Sequence, residues 1–143
     1  MADVAVVSIS ILVADDEEGI RNLVVNWLQD RGHTLTAVRS ANEALRCISA
    51  ENFDLVITDV VMPDGDGFEL ISSLRKTHPE MRILAMSGGG RYLRGVECLK
   101  MARGLGAHAV VLKPFNMEQL QAAIDAAILP RSSNCTPPGN WAE

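Results

Sequence analysis

Leu55-Val56-Ile57-Thr58-Asp59 is an apolar run that ends abruptly in an acid, and Met62-Pro63-Asp64-Gly65-Asp66-Gly67 follows closely behind it. Its β-branched residues favour a strand, whereas the proline, glycines and aspartates after it are turn formers. The run lacks the apolar–polar alternation of a strand with one wet face, so it reads as covered on both sides. Two further runs have the same build. Ile11-Leu12-Val13-Ala14 leads into Asp15-Asp16, and Val110-Val111-Leu112 leads into Lys113-Pro114. Strands covered on both faces belong to parallel sheets, whose carboxyl ends open on one edge where ligands bind. Asp15, Asp16, Asp59 and Lys113 are therefore expected to meet at a single rim. Packing gives no reason for that gathering, and a metal-assisted phosphoryl site does.

Stretches of helical period fill the gaps between the runs. Ile20, Leu23, Val24, Trp27 and Leu28 share one face, and Gly32 stops that helix. Leu35 to Val38 reads as the second strand. Ser40 and Glu43 form a capping box ahead of Ala44, Leu45 and Ile48. Phe68, Ile71 and Leu74 mark a helix that ends before Pro79, and Arg82 to Met86 is the fourth strand, leading into Ser87-Gly88-Gly89-Gly90. A helix from about Arg91 to Leu105 and a strand near Ala109 to Leu112 come next. Asn116, with Gln119, opens a last helix that Pro130 stops. Alternation with short connections predicts an α/β fold: one doubly wound (βα)5 domain, with a parallel five-stranded sheet and helices on both faces. The domain is expected over 9–129, with 130–143 a disordered C-terminal tail rich in Pro, Ser, Asn and Gly.

The chain of 143 residues is long enough for one core, and 48% apolar with 22% charged residues is a soluble globular balance. A net charge of −5 and a pI near 5.2 exclude a basic footprint for nucleic acid or anionic membrane. No apolar run approaches the roughly 20 residues of a membrane span. Asp3 stands where a secretory signal would carry positive charge, so a cytoplasmic location is expected. Cys47, Cys98 and Cys135 lack metal or disulfide spacing, and His33 and His78 fall in helix-to-strand turns expected at the surface.

Taken singly, each polar residue has a bland reading. Asp15-Asp16 suits a helix N-cap, and Asp59, Asp64 and Asp66 suit turns. Lys113 suits a solvated strand end, and Ser87-Gly88-Gly89-Gly90 a flexible loop. Independent accidents would not all fall on one sheet edge, and that co-occurrence carries the reading.

With these residues in place, the chain resembles the bacterial two-component response-regulator receiver domain, in its stand-alone, chemotaxis-regulator-like form. The matching elements are Asp15-Asp16, Thr58-Asp59, the Met62 to Gly67 loop, Ser87 and Lys113-Pro114-Phe115, spanning about Ile9 to Leu129. The resemblance implies a flavodoxin-like sheet of order 2-1-3-4-5. It makes Asp59 the phospho-acceptor. Mg²⁺ would be held by Asp16 directly, by Asp15 largely through water, by Asp59, and by the Val61 backbone carbonyl. Ser87 would be the switch hydroxyl, Gly88 and Lys113 would bind phosphoryl oxygens, and Pro114 would be structural, after a cis bond. The implied partners are a sensor histidine kinase or a histidine phosphotransfer protein, and a downstream protein not identified by sequence. No direct contact with nucleic acid or membrane is expected. Such a domain catalyses its own phosphotransfer yet is a switch, not a turnover enzyme.

Those residue types suit the chemistry. Mg²⁺ is a hard cation that takes oxygen ligands and keeps several waters. At about 4 Å and an effective dielectric near 20, two carboxylates repel by roughly 4 kcal/mol, a cost a divalent cation removes. Phosphoryl transfer then needs in-line placement and neutral surroundings for the equatorial oxygens.

The chain departs from the pattern at Val110, where many receivers carry an aromatic ring that swings with the switch hydroxyl; valine has no ring and a stiff χ1. The output signal is expected instead in the glycine-rich loop at Gly88 to Gly90 and the fourth helix. Three competing functions fit less well. A haloacid dehalogenase-type aspartyl-phosphate hydrolase needs a D-x-D motif, and Asp59-Val60-Val61 lacks the second acid. A flavin module needs a phosphate loop where Asp15-Asp16-Glu17-Glu18 would repel phosphate. A phosphorylation-independent pseudo-receiver, acting as an interaction module, has no need of the full acidic set or of Lys113.

Overall fold

The computed structural model describes residues 8–60, 62, 67–87 and 95–128. Five strands alternate with five helices: β1 (Ser10–Ala14), α1 (Glu18–Asp30), β2 (Thr34–Val38), α2 (Ala41–Ala50) and β3 (Leu55–Asp59), then α3 (Gly67–Thr77), β4 (Arg82–Ser87), α4 (Gly95–Leu105), β5 (Ala109–Leu112) and α5 (Met117–Ile128). All neighbouring strands pair in parallel, in the order β2-β1-β3-β4-β5 that the resemblance implies. Ser87 closes β4, one residue later than the sequence pattern suggests. Residues 91–94, the Gly88 to Gly90 loop, Val61 and the 130–143 tail lie outside the described residues. No helix is long and apolar enough to cross a membrane.

Strand side chains alternate between two cores. Leu12, Ala14, Val56, Ile83 and Ala85 pack against α2, α3 and α4. Ile11, Val13, Leu55, Ile57, Leu84 and Met86 pack against α1 and α5. Every residue of β3 is buried, as its unbroken apolar run predicts. Each fully buried Leu or Ile contributes about 1.5–3 kcal/mol from burial, which anchors the sheet centre on both faces. On α1, Val24 and Leu28 are buried, while Trp27 turns to Phe115 with ring centroids 6.4 Å apart.

The caps follow their sequence signals with one shift. Asn116 and Gln119 exchange reciprocal bonds of 2.8 and 2.9 Å at the start of α5. Ser40 Oγ accepts from the Glu43 amide at 3.1 Å, but the Glu43 carboxylate accepts from Arg39, one residue before the cap, at 2.9 Å. Helix α1 is preceded by Glu17, whose side chain makes no cap bond, while Asp15 Oδ1 accepts the Glu17 amide just ahead of the helix. Gly106, after α4, has φ +122°, and the Arg75 side chain lies across its open face.

His33, expected at the surface, is half-buried, and its Nδ1 accepts the Ile9 amide at 3.2 Å. Burial first, and the Arg31 charge second, lower its pKa from the ordinary 6.5. The unfolded chain thus binds this proton more readily, and stability falls as pH drops from about 6.5 through the folded value. The urea midpoint is expected to decline across that window. His33→Asn can keep an acceptor for Ile9 without titrating, and should remove that part of the slope. An unaltered slope would show that His33 is not its source.

Candidate functional site

The carboxyl ends of β1, β3, β4 and β5 form one rim, and backbone bonds extend two ladders beyond the strands there. The Asp15 amide donates to Val38 at 3.2 Å, continuing β1 along β2. The Lys113 amide donates to the Ser87 carbonyl at 2.9 Å, continuing β5 along β4. The peptide bond from Lys113 to Pro114 is cis. Arg21 Nη1 donates to the Asp15 carbonyl at 2.8 Å, tying the rim to α1.

These ladders aim the side chains. Lys113 Nζ lies 2.9 Å from Asp15 Oδ2, 3.3 Å from Asp59 Oδ2 and 3.2 Å from Glu17 Oε1. Asp15 and Ser87 are fully buried and Asp59 nearly so. Asp16, expected as a direct metal ligand, is exposed and stands outside this group, and Glu17 takes a place in it. The chain bends at Asp16 between β1 and α1, which leaves the Asp16 side chain exposed while the Glu17 carboxylate reaches Lys113 from the mouth of the site. The Glu17 amide also donates to Asp15 Oδ1 at 2.9 Å, holding the turn.

Burial is the largest influence on Lys113 and opposes its charge. The Asp59 charge, the hydrogen bond and charge of Asp15, and the bond to Glu17 together outweigh it, so its pKa is raised. The lysine is an ammonium at neutral pH. Among the described residues, Asp15, Glu17 and Asp59 each offer a carboxylate oxygen, all within 4.8 Å of one another, and can hold a metal ion. Carboxylate oxygens are hard donors, the kind that Mg²⁺ takes. Val61 and Gly88 lie outside the described residues, and Pro114 is exposed. Val110 is half-buried against the α2–α3–α4 core.

The response regulator receiver domain family matches residues 11–125. The chain belongs to that family. It is 35% identical over 129 residues to the DNA-binding transcriptional regulator NtrC of Azospirillum brasilense, covering 90% of this chain and 25% of that one. Among solved structures, NtrX from Brucella abortus superposes with a TM-score of 0.78 at 32% identity, covering 85% of this chain and 27% of that chain. The chemotaxis response regulator CheY4 of Vibrio cholerae superposes with a TM-score of 0.75 at 28% identity, covering 85% of this chain and 99% of that chain. This receiver domain therefore spans about a quarter of its NtrC relatives and almost the whole of a CheY-type chain. Its family is that of the two-component response-regulator receivers.

Proposed function

We propose that Asp59 of this receiver accepts a phosphoryl group from a sensor histidine kinase or a histidine phosphotransfer protein, and that the modified rim signals through protein–protein contact. The observation that carries the reading is the Lys113 ammonium held between Asp15 and Asp59, which come from separate strand ends. A sensor kinase, CckA of Brucella abortus, is 36% identical to this chain over 122 residues, which adds support for a phosphotransfer context. The reading takes the domain as residues 9–129, working in the cytoplasm.

An Asp59 carboxylate oxygen attacks the donor phosphorus in line. The new O–P bond forms as the donor's P–N bond breaks, and the leaving imidazole takes up a proton. Lys113 neutralises a phosphoryl oxygen, and the Ser87 hydroxyl and Gly88 amide are assigned to the others. Asp15 and Asp59 would hold Mg²⁺, with Asp16 and the Val61 carbonyl assigned to it by family pattern. When bound, the ion supplies charge neutralisation for crowded carboxylates and phosphoryl oxygens. Phosphorylation adds about −1.5 to −2 charges at the rim, enough to bias a neighbouring loop between two states.

Incubation with acetyl phosphate and Mg²⁺, followed by intact-mass measurement, is expected to add one phosphoryl group to the wild type and none to Asp59→Asn. Addition to the variant at the wild-type level would move the acceptor elsewhere. Continuous phosphate release from small phosphoesters would favour a hydrolase instead.

A further inference from the structure

Lys113 sits where a cation is most wanted. Its ammonium contacts Asp15, Asp59 and Glu17 at 2.9, 3.3 and 3.2 Å, so it already offsets part of the negative charge to which a divalent ion would be drawn. An incoming cation must compete with it for the same oxygens. The three acids differ in one respect: the Asp15 and Asp59 side chains are 0% and 8% exposed, whereas that of Glu17 is 62% exposed. The Lys113 side chain is only 10% exposed, which limits its retreat into water.

Resting on the function proposed above, we infer that Glu17 is a positioning residue that holds the Lys113 ammonium at the mouth of the site once a cation takes Asp15 and Asp59. The geometry suits the role. Glu17 stands at the exposed mouth of the site, has a longer stem than aspartate, and already touches Nζ. The exchange keeps the lysine charged, paired and within reach of a phosphoryl group on Asp59. Without Glu17, the displaced ammonium loses the exposed carboxylate that it touches among the described residues and competes harder for the buried pair. A direct metal ligand at Glu17 is the rival account, and the two separate in a double-mutant cycle.

The probe is Mg²⁺ alone, titrated calorimetrically into the full chain with no phosphodonor present. Glu17→Gln is expected to weaken Mg²⁺ binding about fivefold, the upper end for an exposed ion pair. Lys113→Met is expected to tighten it, because the competing ammonium is gone. In the Lys113→Met background, Glu17→Gln should then matter less than about twofold, the residue of a screened charge. An equal factor in both backgrounds, or none in the wild type, overturns the inference. A second readout needs no change at Lys113: its ammonium NMR signal should persist with Mg²⁺ in the wild type and be lost to solvent exchange in Glu17→Gln. Retention in that variant also overturns it. Neither measurement uses a phosphodonor, so failure of Asp59 to accept phosphate would be seen separately by mass.

Discussion

A Gly67→Ala substitution is expected to lower folding stability by about 3 kcal/mol, the upper part of the range for overpacking, and to slow phosphate acceptance at Asp59. Gly67 opens α3 directly against the exit of β3, and its amide donates to the Val60 carbonyl at 3.1 Å. An added Cβ would lie 2.7 Å from Val60 Cα and closer still to the Asp59 carbonyl oxygen. Both neighbours are backbone, so no side-chain rotation relieves the overlap. Either α3 moves or the end of β3 does, and the second choice displaces the Asp59 carboxylate. The urea midpoint should fall by roughly 2 M at a slope of about 1.5 kcal/mol/M. An unchanged midpoint would mean that α3 can shift along the sheet at little cost.

Lys113→Met should have a comparable effect by an electrostatic route. Removing the ammonium leaves Asp15 and Asp59 buried together without their shared counter-ion, and losing one partner of a buried pair costs about 3 kcal/mol or more. The exposed Glu17 contact adds little to that figure. Mg²⁺ should restore much of the loss, since it replaces the missing charge, and a chelator should reveal the whole of it. The pH dependence has a definite sign. The Lys113 pKa lies above its ordinary 10.5, so its contribution is fully present below that value and lost as pH rises through the folded one. The gap between wild type and variant should hold at pH 7 and close in strong alkali. A variant as stable as wild type in the presence of a chelator would show that the carboxylates do not depend on this lysine.

Much of the site was legible because its residues sit at ends of apolar runs. Asp15, Asp59, Ser87 and Lys113 each close or follow a strand, and parallel strands put their carboxyl ends on one edge. The strand order was not read from periodicity, which is silent on which strands neighbour one another; the family resemblance supplied it. Glu17 was missed because a charged residue after two aspartates reads as the first turn of a helix. Its place at the site depends on whether β1 continues through Asp15, and that depends on a bond to Val38 from another strand. His33 escaped for the same reason: the Ile9 amide that it meets comes from 24 residues away.

Local chemistry alone determined the alternation of strands and helices, the reciprocal cap at Asn116 and Gln119, and the identity of the acids and the lysine at the rim. Each of these follows from residue types within a few positions of one another. Tertiary structure decided which of the consecutive acids Asp15, Asp16 and Glu17 face the lysine, and how close α3 lies to Asp59. Those outcomes rest on ladder bonds and backbone contacts between segments far apart in the chain, whose register no local pattern encodes.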